Sequence, residues 1–146
     1  MRLFFQTIFL AAMVVCTSST AVANNEKPAW LFVQTASGYE AQGSSLTIPY
    51  EREIFAFTDR PNRQYRYLNA HEFTALWSGG DNDFSQDPPN AVLTWVSDGE
   101  VQEAEIELIG AEVNEQGRSI TYEIQVEAGD AWPAVAERVS LFIDMR

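Results

Sequence analysis

From Glu103 to Leu108 the chain alternates carboxylate and hydrocarbon without a break, Glu103, Glu105 and Glu107 against Ala104, Ile106 and Leu108. Only an extended backbone sends successive side chains to opposite faces, so this stretch is a strand with one wet face and one dry face. Asp98-Gly99 lies just before it and is a strong hairpin turn. A two-residue loop there sets Leu93 opposite Ala104 and Val96 opposite Val101, apolar against apolar. After a turn at Glu115-Gln116-Gly117, Ile120, Tyr122, Ile124 and Val126 alternate with Thr121, Glu123, Gln125 and Glu127. Successive amphipathic strands need a shared dry layer, which commits the second half to antiparallel β structure.

The first half fits the same architecture. Ala29 to Thr35 is a continuous apolar run of strand length, which implies cover on both faces, and Val139 to Ile143 is a last apolar strand. Ser37-Gly38 and Gln42-Gly43-Ser44 punctuate the chain. Leu46, Ile48 and Tyr50 alternate with Ser45 and Thr47 until Pro49 or soon after. Ile54 to Thr58 is another strand, with Phe55 and Phe57 on one face. A single short helix ends at Trp77. Asn69 caps it, Glu72 closes the capping box, Leu68 and Phe73 form a staple, and Gly79-Gly80 stops it. The expectation is an all-β, single-domain antiparallel β-sandwich of about seven strands, with one short helix in a crossover connection. A flattened barrel is the alternative closure.

The amino-terminal residues are set apart from that domain. Arg2, the apolar run Leu3 to Val15 and the small-x-small triplet Ala21-Val22-Ala23 describe a secretory signal peptide over residues 1–23, leaving a domain of residues 24–146. Cys16 invites a lipoprotein reading, but Val15 stands where that processing needs a small residue. The one cysteine leaves with the leader, so the domain folds without a disulfide. The expected location is periplasmic or secreted, with no membrane insertion after cleavage. Net charge is −12 over the full chain. Such a surface repels nucleic acid and anionic lipid and favours cations and basic partners. Lys27 is the sole lysine, and the arginines suit fixed, directional ion pairs.

Unusual polar chemistry gathers between Phe57 and Ala91. Asp59, Arg60 and Arg63 sit where a strand leaves the sheet. With Asp87 and Asn90 they form a candidate site for a small anionic ligand or a partner protein, the two guanidiniums acting as a clamp. The competing role for Arg60 is an internal latch onto Asp87 or Asp144. Asp81, Asp83 and Asp87 place oxygen ligands at alternating positions of one loop, a pattern that suits calcium. Gln86 and Val92 stand where a calcium loop needs glycine and a bidentate glutamate. Trp30, Trp95 and Trp132 are candidates for a sugar-stacking platform. Catalytic signatures are weak: His71 is the only histidine, and there is no nucleophile elbow or metal-binding histidine pair.

Four blocks carry a resemblance. Phe57-Thr58-Asp59-Arg60-Pro61-Asn62-Arg63, Glu72-Phe73-Thr74-Ala75-Leu76-Trp77, Asp87-Pro88-Pro89-Asn90-Ala91 and Ser140-Leu141-Phe142-Ile143-Asp144 resemble the signature blocks of a family of small exported microbial proteins of unknown function. The resemblance implies export and a shared fold, and it supplies no catalytic residues. Together these readings give an exported, acidic binding or structural module without catalysis, centred on the connection from Asp59 to Asn90, with no cofactor required. A carboxylate-based hydrolase and a calcium-stabilised extracellular module are the alternatives.

Overall fold

The computed structural model describes residues 28–80 and 83–145. The signal-peptide and Cys16 readings, and Asp81 of the calcium pattern, lie outside the described residues. Eight antiparallel strands form one sheet: β1 (Trp30–Gln42), β2 (Ser45–Pro49), β3 (Ile54–Thr58), β4 (Tyr65–Leu68), β5 (Asn90–Ser97), β6 (Glu100–Val113), β7 (Ser119–Gly129) and β8 (Val135–Asp144). Helix α1 (Ala70–Thr74) and a 3-10 turn, Ala75–Trp77, lie between β4 and β5. The all-β, antiparallel, single-domain expectation holds, with its one short helix in the connection between β4 and β5.

The strand order is β2-β7-β6-β5-β8-β1-β3-β4, and β2 also pairs with β1. That extra pairing closes six strands into a ring and leaves β3 and β4 as a flap on the amino-terminal half of β1. The closure comes from how β1 divides its edge. Leu31 to Val33 pair with β3, while Glu40 to Gln42 pair with β2. Between these pairings the chain turns through Tyr50 to Glu53. Glu51 fills the gap, its carboxylate accepting from the Ser37 N–H at 2.9 Å and from the Ser37 hydroxyl. Ser37-Gly38 is therefore not a turn. It lies inside one thirteen-residue strand, and Gly38 is there because β8 passes close by: a Cβ would meet the Ala136 carbonyl oxygen at 2.5 Å.

The hairpin register is the expected one, Leu93 opposite Ala104 and Val96 opposite Val101. Inward positions of every strand in the ring fill the interior, and Leu46, Ile48, Leu93, Leu108, Ile120, Leu141 and Ile143 have no exposed surface. Each such side chain contributes on the order of 1.5–3 kcal/mol by leaving water. The α1 segment closes one end. Asn69 accepts from the Glu72 N–H and Glu72 from the Asn69 N–H, both at 2.9 Å, so the capping box forms as the sequence predicts. Behind it Phe73, Trp77 and Phe84 pack ring edge to face, Trp77 to Phe84 at 4.9 Å between centroids. The Trp77 indole N–H donates to the Leu108 carbonyl at 3.1 Å, fixing the plug to β6.

The alternating glutamates of β6 and β7 do not oppose one another. Glu105 faces Ala128, Glu107 faces Gln125 and Glu123 faces Gly110, with register shifts after Glu105 and after Leu108. No pair in this ladder sets one glutamate directly opposite another, the arrangement that would cost stability. Among the described residues, no helix is long and apolar enough to cross a membrane.

Candidate functional site

The Asp59–Arg63 segment is the tip of the β3–β4 hairpin. The Asp59 carbonyl accepts from the N–H of Asn62 at 3.2 Å and of Arg63 at 3.3 Å, and the Asp59 carboxylate accepts from the Arg60 N–H at 2.6 Å. Arg63 takes a left-handed backbone, φ 44°, to turn the chain back. The Gln64 N–H then donates to the Thr58 hydroxyl at 2.9 Å. Arg60 and Arg63 are exposed, and neither forms an ion pair with a described residue. The internal-latch role for Arg60 is corrected accordingly, since an exposed guanidinium is not folded inward onto Asp87 or Asp144. Asp59 is spent locally, shaping the turn.

Asn90 opens β5, and the ladder shows what lies beside it. It pairs with Asp144, Asp144 with Leu31, Leu31 with Phe57, and Phe57 with Tyr65. One row of the sheet thus runs from the Asp87–Ala91 block through the end of β8 to the base of the arginine tip, and three of the four resemblance blocks meet along it. Asn90 and the hairpin are three strand spacings apart, roughly 14 Å at about 4.8 Å per strand. A ligand the size of a carboxylate or phosphate cannot touch Asn90 and Arg60 together, whereas an extended one can.

That row belongs to the outer face of the sheet, and the outer face is unexpectedly apolar. Side chains paired across strands share a face. Leu31, Phe57 and Tyr65 are therefore joined there by Val33, Phe55 and Tyr67, and on the other side of β1 by Phe142 and Val92. Phe55 stacks on Phe57 at 5.5 Å between centroids and meets Tyr67 at a tilt, 5.4 Å away. Tyr65 is 70% exposed, Tyr67 63% and Phe142 47%. The continuous apolar run in β1 implies cover on both faces. Among the described residues only the inner face is covered. A groove of about 430 Å³ runs over this surface, its floor made by Leu31, Val33, Phe57, Val92 and Phe142 and its rim by Asn90, Asp144, Glu105 and Glu127. The size is that of a small-ligand or side-chain pocket.

The charged groups are segregated. Arginines stand at the hairpin end, with Arg66 lying over the Trp30 ring at 4.7 Å on the opposite face of β4 from Tyr65 and Tyr67. Carboxylates stand at the β6 and β7 end. Sequence reasoning reached Asn90 and the arginine tip but missed Tyr65, Tyr67, Phe142, Glu105 and Glu127 as parts of the surface. The available signal was Tyr65-x-Tyr67, two aromatics at strand spacing within a stretch too short to be read as a strand.

The other candidates land elsewhere. Asp83 is a turn cap: one carboxylate oxygen accepts from the Ser85 N–H at 2.9 Å and its hydroxyl at 2.5 Å, and the other from the Gln86 amide at 3.1 Å. These bonds, the Ser85 hydroxyl first, hold its pKa below the ordinary carboxylate range. Asp87 is exposed. No group of three or more metal-ligating side chains is found among the described residues. Trp95 is 1% exposed and part of the core, so it can belong to no surface platform. Trp132 is half-buried against Tyr39, with centroids 6.0 Å apart. A second, more polar cavity of about 510 Å³ lies beside Trp77 and Ser85 and is bordered by Glu112 and Glu123. Both carboxylates are exposed, unlike the enclosed pairs that do acid–base work. Comparison with protein-family models, curated proteins and solved structures finds no match for this chain.

Proposed function

We propose that this is an exported, non-catalytic binding module, and that its partner is a protein docking on the outer face from Tyr65 and Tyr67 across to Phe142 and Val92. One observation carries the reading: a contiguous aromatic and aliphatic layer on a strand face that no described residue covers. Exposed apolar patches of that kind, rimmed by polar groups, mark interaction surfaces. The Asp59–Asn90 connection retains its place in the proposal. Arg60 and Arg63 stand at one end of the face, Asn90 and the adjoining Asp87 segment at another, each able to fix a partner's polar groups once the apolar layer is engaged. Tyrosine is well suited to such work, since it offers a large rigid surface with a polar end.

Photo-crosslinking tests the surface in the cell that exports the protein. A benzophenone amino acid at Tyr65 or Phe142 is expected to give one discrete adduct. The same probe at Val101 or Val135, exposed apolar positions at the far ends of their strands from this patch, is expected to give none. Equal labelling from all four positions, or labelling only from the controls, would remove the outer face as the docking surface.

A further inference from the structure

The ring consumes the edges of its six strands, and β4 ends the sheet: among the described residues it pairs with β3 alone. Which of its backbone groups are free follows from the ladder. The Thr58 N–H donates to the Gln64 carbonyl at 2.9 Å. In an antiparallel pair bonded and non-bonded positions alternate, so Ala56 with Arg66 and Ile54 with Leu68 exchange the next bonds. Tyr65 and Tyr67 lie between, and their N–H and C=O groups point away from β3, along the open edge. Their side chains, 70% and 63% exposed, carry the aromatic layer to that same edge.

Resting on the reading of the outer face as a docking surface, we infer that the partner engages β4 as an added strand, and that this strand alternates aliphatic or aromatic side chains with carboxylates. An added strand continues the alternation of its neighbour. The face that continues Tyr65 and Tyr67 is apolar, and the face that continues Arg66 is basic. The surroundings strengthen the basic character: residues 52–66 hold Arg52, Arg60, Arg63 and Arg66 against Glu53 and Asp59, a basic corner on a chain of net charge −12. A second copy pairing through its own β4 would bring the arginines of two hairpins together, which like-charge opposition across a ladder disfavours. Edges protected from pairing carry charge, proline or a bulge. Here the outer-face positions of the edge are both tyrosine, and main-chain bonding from Tyr65 and Tyr67 supplies the affinity typical of strand addition.

The test uses a short synthetic peptide alternating valine with glutamate. Its comparators are the same peptide N-methylated along one edge and a valine–lysine version. Amide hydrogen exchange and amide chemical shifts of the protein are the readouts. With the glutamate peptide, the Tyr65 and Tyr67 amides gain at least about tenfold exchange protection. The N-methylated peptide gives none, the lysine peptide binds at least about tenfold more weakly, and Arg66→Glu reverses that preference. Unchanged Tyr65 and Tyr67 amides at millimolar peptide overturn the inference. If Phe142 and Asn90 shift in that same sample, the outer face still binds and only strand addition fails, whereas failure of the crosslinking removes the docking surface itself. Equal binding of the lysine peptide overturns the acidic partner. Protection that rises with protein concentration alone assigns the edge to a second copy and also overturns it.

Discussion

Tyr39 shows how much one side chain settles here. Its hydroxyl donates to the Pro133 carbonyl at 3.0 Å, and its ring meets Trp95 edge-on at 6.2 Å and Trp132 at 6.0 Å. Burial pushes its phenol up from 10.0 to about 12. Tyr122, fully enclosed and donating to the Gln34 amide oxygen at 2.6 Å, is pushed well above 10.0 for the same reason. Between about pH 10 and pH 12 the unfolded chain loses the Tyr39 proton while the folded protein keeps it. The folded state then binds more protons than the unfolded, so stability falls as pH rises through that window and Tyr39 adds no further slope above it. Urea unfolding at stepped pH is expected to show this decline. In Tyr39→Phe the slope is expected to be shallower without vanishing, because Tyr122 still contributes. The variant also loses about 1 kcal/mol at neutral pH with the Pro133 bond. An unchanged slope would mean that Tyr39 titrates alike in both states.

At the scale of elements, the decisive device is a long β1 that serves three neighbours. Gly38 permits the closest of those approaches, so Gly38→Ala must move β8 or bend β1. The expected loss is about 1–3 kcal/mol, seen as a lower urea midpoint with an unchanged slope. Gly110→Ala is the control, since a Cβ there meets nothing nearer than Glu123 at 3.7 Å. Equal midpoints for both variants would refute the close approach. The same strand shows where sequence reading succeeds and stops. Period-two alternation in β6 and β7, the Asp98-Gly99 turn and the capping box are local signals, and each appears in the structure as read, except that Val126 at the end of the β7 pattern is exposed. The division of β1 between β2 and β3 is a long-range choice, carried by Glu51 reaching Ser37, and no local pattern announces it. Ser37-Gly38 looks like a turn because glycine serves turns and close packing alike. β4 escaped for a related reason: Tyr65, Arg66 and Tyr67 are all exposed, so the short strand has no alternation of burial to reveal it. The site inherits both limits. Arg60 and Asn90 stood out by chemistry, while Tyr65, Tyr67 and Phe142 became a surface only once the register aligned them.

Over the whole molecule the governing influence is charge. No pair of the β6–β7 ladder sets two glutamates opposite one another, so the −12 net charge acts over longer distances. Such repulsion weakens as salt shortens the screening length, to about 10 Å at 0.1 M. The melting midpoint is therefore expected to rise with sodium chloride. The calcium reading makes a different demand, because a site that binds only the folded state adds about 2.7 kcal/mol at a hundredfold excess over Kd. For a domain of this size that is on the order of 10 °C. Asp83 is poorly placed to supply it: both of its carboxylate oxygens already accept from Ser85 and Gln86, and a cation would have to displace those donors. Calcium and magnesium at matched ionic strength are expected to give the same midpoint, each within the trend set by sodium chloride. A rise specific to calcium, lost in Asp83→Asn combined with Asp87→Asn, would instead place a cation in that loop. The comparison separates a general counter-ion effect from a bound ion, because only the second depends on which divalent cation is added.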